Sequence, residues 1–358
     1  MLTEHFHNTQ KDTGHYSNDL RYVLSLQNTI AAFEEIKTWE GYAKTPLHSL
    51  DSMASDIGVK NIYYKDESSR FGLGSFKALG GTYGVLKFIH HALKKEIGDE
   101  VSMKDIHAGK YSEQISKYTV TTATDGNHGR SVAFGAKLFG CKCQIYIHSE
   151  VSSGRQKAME DLEATVNRVS GNYDESLQIC IEDAGKNNWY VISDTSYEGY
   201  TKYPRYIMAG YNVMAEEIID QIKDRPLPTH VFLQGGVGSF PGAICGYFWE
   251  KFPGNNIKFV VVESEHAPCL IRSAQNNQMT SVNIKQETMM AGLSCGEPSL
   301  LGWEILKSGT DDFITINDSS IPGLMRLLAK NNLKIEAGES SVAGLAGLIE
   351  SMEDQKIA

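Results

Sequence analysis

Chemistry first becomes visible in this chain around Lys77, in KDESSRFGLGSFKALGGTYGV, where a glycine-rich run leads into a helical pattern. Val85, Phe88, Ile89, Ala92 and Leu93 recur at spacings of three and four and mark one buried face, which places Lys77 near the first turn of that helix. The positive end of the helix macrodipole disfavours an ammonium there, and partial burial acts in the same direction. The expected result is an amine that can be neutral and nucleophilic near pH 7, suited to imine formation. Taken alone, a lysine at a helix start is more often simply solvated.

A second stretch, THVFLQGGVGSFPGAICGYFWE, reads as a strand, a glycine turn and a helix with Pro241 in its first turn. Glycines let the backbone come close to a ligand, and successive N–H groups at a helix N-terminus cradle a phosphate. Gly235, Gly236, Val237, Gly238 and Ser239 are the implied donors. The same turn also serves plain chain reversal, and the spacing Gly236, Gly238, Gly242 with Glu263 further on loosely matches a dinucleotide fingerprint whose third glycine is one residue late. The third stretch, TTATDGNHGRSVAFGAK, puts Asp125, Asn127 and His128 in a tight turn between a strand and a helix. Ligands of open α/β sheets gather at such carboxyl ends of strands, although an Asx-type turn capping the helix would use the same residues.

The elements that must position these residues follow from periodicity. From about Lys117, short β-rich runs alternate with helical patterns: YTVTTAT, CKCQIYIH, TVNRVS and WYVISDT are each followed or preceded by amphipathic stretches. That rhythm predicts βα units on a parallel sheet. A second series begins at THVFLQ and continues through KFVVVES and FITIND. Between the two lies Lys223–Thr229, KDRPLPT, whose two prolines mark a surface connection. With 358 residues and 41% hydrophobic content the chain exceeds what one growing core accommodates, so two α/β lobes are expected.

Composition narrows the partners. Lys and Arg total 34 against 44 Asp and Glu, and the formal charge of −10 repels nucleic-acid backbones and anionic membranes. The start lacks a basic region followed by an apolar core, and no apolar run approaches the ~20 residues needed to cross a bilayer. A soluble, cytoplasmic protein is the expectation. The six cysteines, at 141, 143, 180, 245, 269 and 295, show no zinc-type spacing, so no metal site is expected. His5, His7 and His15 lie in a polar leader without apolar periodicity, which reads as a loose tail.

SFK, TDGNHG and GGVGSF, in that order, resemble the three cofactor-binding motifs of fold-type II pyridoxal-phosphate (PLP) enzymes, the group that holds threonine and serine dehydratases, cysteine synthase and tryptophan synthase β. The resemblance covers roughly residues 40 to 350. TWEGYAKTPL, KDESSRFGLGSFKALGG, ATDGNHGR, DTSYEGYTKYP and MAGLSCGEPS are more closely similar to the diaminopropionate ammonia-lyase family. The resemblance implies a two-lobed α/β fold of the tryptophan synthase β kind, each lobe a mostly parallel sheet flanked by helices. Residues 1–81 and 204–358 would form a large PLP-binding lobe and residues 82–203 a small inserted one, with PLP in the cleft and a homodimer as the assembly.

Carried over motif by motif, the resemblance makes Lys77 the Schiff-base lysine with Phe76 beside it. Asn127 would bond the cofactor's phenolic oxygen, and the backbone of Gly235, Gly236, Val237, Gly238 and Ser239 would hold the phosphate. Near the end of the chain, GESSVAGLAGL offers Ser340 to the pyridine nitrogen, or failing that Ser341. A neutral partner there weakens the ring as an electron sink and suits expulsion of a β-substituent. Asp125 departs from the dehydratases, whose turn usually reads SGNH. A carboxylate at this place can pair with a second ammonium on a small amino-acid substrate, or take the Cα proton. Asp194, at a strand end in SDTSYEGY, is a second acid that can enter the site as a substrate contact, with Tyr197 and Tyr200 nearby, against the alternative of a helix cap and packed aromatics; Glu297 is a weaker substrate contact. The implied reaction is α,β-elimination of ammonia from 2,3-diaminopropionate, in which Lys77 or Asp125 removes the Cα proton according to the stereoisomer and the products are pyruvate and ammonia. Dehydration or racemization of serine, threonine or 3-hydroxyaspartate is the alternative within enzymes, and a non-catalytic PLP-binding regulatory protein the alternative outside them. The resemblance also brings Cys269 and Cys295 close enough to pair, against two buried reduced thiols.

Overall fold

The computed structural model describes residues 2–12, 14–98, 100–124, 126–171, 173–330 and 334–354. The strands are β1 (Leu2–His7), β2 (Leu47–Ser49), β3 (Tyr63–Lys65), β4 (Thr119–Ala123), β5 (Lys142–Ile147), β6 (Thr165–Arg168), β7 (Tyr190–Val191), β8 (His230–Gln234), β9 (Lys258–Ser264) and β10 (Asp312–Ile316). One sheet runs β6-β5-β4-β7 and is parallel throughout. A second runs β1-β10-β9-β8, parallel except for β1, and β2 and β3 form a small antiparallel pair. In the interior strands β4 and β10 every residue is buried, as expected where helices cover both faces of a parallel sheet. The chain is therefore mixed α/β with helix-flanked parallel sheets, as the two series of βα patterns predict.

The leader departs from expectation. β1 is ordered as an edge strand on β10, with Phe6 opposite Phe313. His5 Nε2 and His7 Nδ1 both meet Asp312 Oδ1, at 2.8 and 2.9 Å. Its six residues are too short to show a period, and pairing with a distant strand orders them. His15 is exposed. Lys223–Thr229 is, as predicted, an irregular and mostly exposed connection, here between the helix Val213–Gln221 and β8.

The helix Lys77–Ile97 packs on the helices Asn127–Phe139 and Lys202–Tyr211, and glycines allow the approach. A Cβ on Gly80 would lie 2.8 Å from the Ile207 carbonyl oxygen, and one on Gly81 2.4 Å from Ser131 Oγ. Ser131 Oγ donates to the Lys77 carbonyl at 2.6 Å and accepts the Thr82 N–H at 3.0 Å. The main chain of Lys77 is thus fixed from the Asn127 helix before its side chain is considered.

Candidate active site

A cavity of about 2080 Å³ lies between the two parallel sheets, and Lys77 opens into it. Lys77 is the first residue of its helix; its N–H donates to Ser75 Oγ at 3.2 Å, and its side chain is 25% exposed. The helix start and the partial burial expected from sequence are both present. The structure adds a counter-charge, because the amine is ion-paired with Asp194, which follows β7 in the loop SDTSYEGY. Asp194 Oδ2 also accepts the Tyr211 hydroxyl at 3.2 Å and lies 3.6 Å from His128 Nδ1. Burial works against charge on this carboxyl, but His128, the Lys77 amine and the Tyr211 hydroxyl hold it well below the usual carboxylate range. Tyr211 is pushed the other way, by burial and by Asp194, and stays a hydrogen-bond donor. His128 is buried and its Nε2–H donates to the Ile192 carbonyl at 2.8 Å; burial lowers its basicity against the pull of Asp194.

The glycine loop faces the same space. Gly236 and Gly238 take φ of +59° and +94°, conformations that glycine adopts without strain. Among the described residues the N–H groups of Gly236, Val237, Ser239 and Phe240 have no acceptor, and they lie in the turn into, and the first residues of, the helix Ser239–Lys251. Two of the expected donors are committed elsewhere: the Gly235 N–H goes to the Val262 carbonyl at 2.8 Å, continuing the strand pairing, and the Gly238 N–H to the Gly235 carbonyl at 3.3 Å, so Gly238 serves through its conformation. The Ser239 hydroxyl is committed to the Asp194 carbonyl at 2.6 Å, which leaves its N–H for a ligand. Glu263, the acid of the dinucleotide alternative, is buried and accepts the N–H groups of Leu270 and Ile271 at 2.8 and 2.7 Å. Burial pushes its carboxyl up to about 8 against those donors, and it caps a helix rather than facing a ribose.

Thr124 Oγ1 caps the Asn127 helix, accepting the N–H groups of Gly126 and Gly129, each at 3.1 Å. Asn127 is left exposed to the cavity, and its side-chain amide has no partner among the described residues. Asp125 lies outside the described residues. Ser340 Oγ accepts the Gly292 N–H at 3.0 Å and keeps its hydrogen for another acceptor, whereas Ser341 Oγ donates to the Gly338 carbonyl at 2.7 Å. Phe76 packs against Tyr211 and Phe240, with ring centroids 5.0 and 4.5 Å away. Tyr197 lines the cavity, 48% exposed, and stacks on Tyr200, whose hydroxyl is spent between the Ser193 N–H and the Val191 carbonyl. Glu297 is exposed on the rim. Cys269 and Cys295 stand as thiols, so the pairing that resemblance implied is not made in this structure. Cys269 Sγ is buried and turned to the Gly236 carbonyl at 3.6 Å.

Tyr211 escaped the sequence reading. It sits in YIMAGYNVM, where an apolar helical face makes it indistinguishable from core. His128 was visible in the turn, but its approach to Asp194 depends on a contact 66 residues along the chain, which no local signal encodes.

These residues fit PLP. Four N–H groups without an acceptor, at a helix start, suit a phosphate; a lysine amine in the same cavity suits an aldehyde; and Ser340 supplies a neutral hydroxyl. No cluster of metal ligands is present among the described residues. A model of the pyridoxal-phosphate dependent enzyme family matches residues 38–358. Diaminopropionate ammonia-lyase of Escherichia coli K12 is 38% identical over 312 residues, 86% of this chain and 77% of that protein. The Salmonella typhimurium enzyme of the same name is 36% identical over 343 residues, 93% of this chain and 85% of its own. The crystal structure of the Escherichia coli enzyme in complex with an aminoacrylate-PLP azomethine reaction intermediate superposes with a TM-score of 0.85 at 34% identity, covering 98% of this chain and 87% of that one. The chain belongs to the pyridoxal-phosphate dependent enzyme family and, within it, to the diaminopropionate ammonia-lyases.

Proposed function

We propose that the chain eliminates ammonia from 2,3-diaminopropionate, in its D form, its L form or both, giving pyruvate and ammonia. The observation that carries the reading is the Lys77–Asp194 pair set beside the uncommitted N–H groups of the glycine loop. Bound there, PLP would supply a carbonyl that condenses with an amine and a ring that takes up electron density from Cα. The N–H groups of Gly236, Val237 and Ser239 would hold its phosphate, Asn127 its phenolic oxygen and the Ser340 hydroxyl its ring nitrogen. Phe76 packs beside it.

Lys77 would hold that carbonyl and carry a proton to or from Cα. Asp194 steadies the Lys77 amine and offers negative charge to a substrate bearing a second ammonium, with Asp125 as the other acid and the base for one stereoisomer. Tyr197 and Glu297 flank the approach. In the same reading residues 82–203 are a small lobe inserted into a large lobe of 1–81 and 204–358. The active form is a homodimer in the cytoplasm, supported by the family resemblance; no helix among the described residues is long and apolar enough to cross a membrane. The test is a steady-state assay of the PLP-saturated protein on 2,3-diaminopropionate, serine, threonine and 3-hydroxyaspartate, with ammonia and pyruvate both counted. Two ammonias per pyruvate from the diamine are expected. A hydroxyl leaving group preferred by a wide margin would overturn the assignment.

A further inference from the structure

The loop that carries Asp194 follows β7 of one sheet and the phosphate cradle follows β8 of the other, yet a compact set of serine bonds joins them. Ser239 Oγ reaches the Asp194 carbonyl at 2.6 Å. Two residues after Asp194, the Ser196 N–H donates to Ser299 Oγ at 2.9 Å, and the two hydroxyl oxygens are 2.7 Å apart. Ser299 in turn donates its N–H to the Val237 carbonyl, inside the cradle, at 2.7 Å. Leu301 N–H donates to Ser196 Oγ at 2.8 Å and Leu300 N–H to the Ser196 carbonyl at 2.9 Å. Ser196 therefore caps the helix Leu300–Gly309 through a bond to a residue 105 positions along the chain, in place of Ser299, whose side chain makes no cap bond. Both serines are buried, at 1% and 0% exposure, so each hydroxyl removed leaves a buried N–H without an acceptor.

We propose that Ser196 and Ser299 are positioning residues that hold the Asp194 carboxylate against the Lys77 amine and fix it in register with the phosphate cradle. Neither touches the reacting atoms. Their bonds set the backbone on the C-terminal side of Asp194, while Ser239 fixes its carbonyl. A change in either shifts the carboxylate relative to Lys77, His128 and Tyr211, the charged and titratable groups that face it. The inference rests on the reading of Lys77 and Asp194 as the centre of the site.

The experiment compares PLP-loaded wild type, Ser299→Ala, Ser196→Ala and Ser299→Thr, with Asp194→Asn as the control. The pH midpoint of the visible absorption band, the melting temperature, kcat and KM are read on each. Both alanine variants should move the midpoint by about half a unit or more and lower kcat about tenfold, with KM changed less than about threefold. Ser299→Thr, which keeps the hydroxyl, should return the midpoint to the wild-type value. If either alanine variant does not fold, Ser299→Cys, a weaker acceptor of similar size, should give a smaller shift in the same direction. Alanine variants that melt earlier but keep the wild-type midpoint would reduce the pair to a helix cap and overturn the proposal. An unmoved midpoint in Asp194→Asn would instead overturn the Lys77–Asp194 reading itself, and the latch with it. A shift in Asp194→Asn alone refutes only the latch.

Discussion

The glycine loop proposed as a phosphate cradle and the Asp194 loop line the same cavity from different sheets, and they are built on opposite principles. In the cradle the working groups are main-chain N–H donors, and side chains matter mainly by being absent: a Cβ on Gly236 would meet the Gly292 carbonyl at 3.2 Å. In the Asp194 loop one carboxylate does the work, and its environment is assembled from Lys77, His128 and Tyr211 on three separate helices. A backbone site is encoded in consecutive residues. A side-chain site of this kind is encoded in contacts 17 to 117 residues apart. The first tolerates changes that keep the turn, while the second depends on every partner.

Lys77→Ala breaks the comparison most severely, because both regions converge on this amine. Turnover should fall by at least about 10⁴-fold, since the variant loses the covalent attachment as well as proton transfer. The visible absorption of the PLP-loaded protein should vanish with it. A variant with the wild-type spectrum and rate would show that another residue is the Schiff base. Asp125→Asn comes next and tests whether a second acid works beside Asp194. If Asp125 is the base for D-2,3-diaminopropionate and Lys77 the base for the L form, D turnover should fall about 10²–10⁴-fold and L turnover far less. Equal losses would make Asp125 a binding group for the β-ammonium, and no loss would return it to the turn.

The cradle's own weak point is Gly236. Alanine there must take a left-handed φ of +59° and push on the Gly292 carbonyl, so the neighbouring N–H groups lose their aim. PLP affinity, measured by equilibrium dialysis, should fall about 10–100-fold, while saturated enzyme recovers most of its kcat. A kcat loss that excess PLP does not restore would mean that the loop also shapes the reacting centre.

The same contrast explains what the sequence reveals. GGVGSF, SFK and TDGNHG each keep the residues of their proposed roles in one short stretch of sequence, so the glycine turn before the Ser239 helix and the place of Lys77 at its own helix start are legible from local residue types. The parallel sheets are legible too, because interior strands such as KFVVVES carry a central apolar run and are buried beyond their first residue. The capping of the Asn127 helix by Thr124, the commitment of the Ser239 hydroxyl to Asp194 and the pairing of β1 with β10 each depend on which of several eligible groups reaches the spot first in space. Asp194 was suspected from its strand-end position, but its ion pair with Lys77 follows only from the packing of the two sheets.

The finest test of the side-chain site is Tyr211→Phe. The phenol donates to Asp194 Oδ2 at 3.2 Å and sits fully buried, so the ring's packing on Phe76 survives the change and only the hydrogen bond is lost. A hydrogen bond to a charged group contributes about 1.5–3 kcal/mol, and the length of this one favours the low end or below. kcat should therefore fall about three- to tenfold. The pH dependence carries the sharper information. Asp194 is held below its ordinary value, so its ion pair with Lys77 is intact above the unfolded carboxyl's pKa of about 4 and is lost only as pH falls through the lower folded value. Removing a donor to the carboxylate raises that folded value toward the ordinary one. Acid inactivation of Tyr211→Phe should thus begin at a higher pH than in wild type, with the neutral and alkaline limbs unchanged. An acid limb that stays in place while kcat falls would assign Tyr211 to substrate or cofactor packing, and would leave Lys77 and His128 to hold the carboxylate ionised.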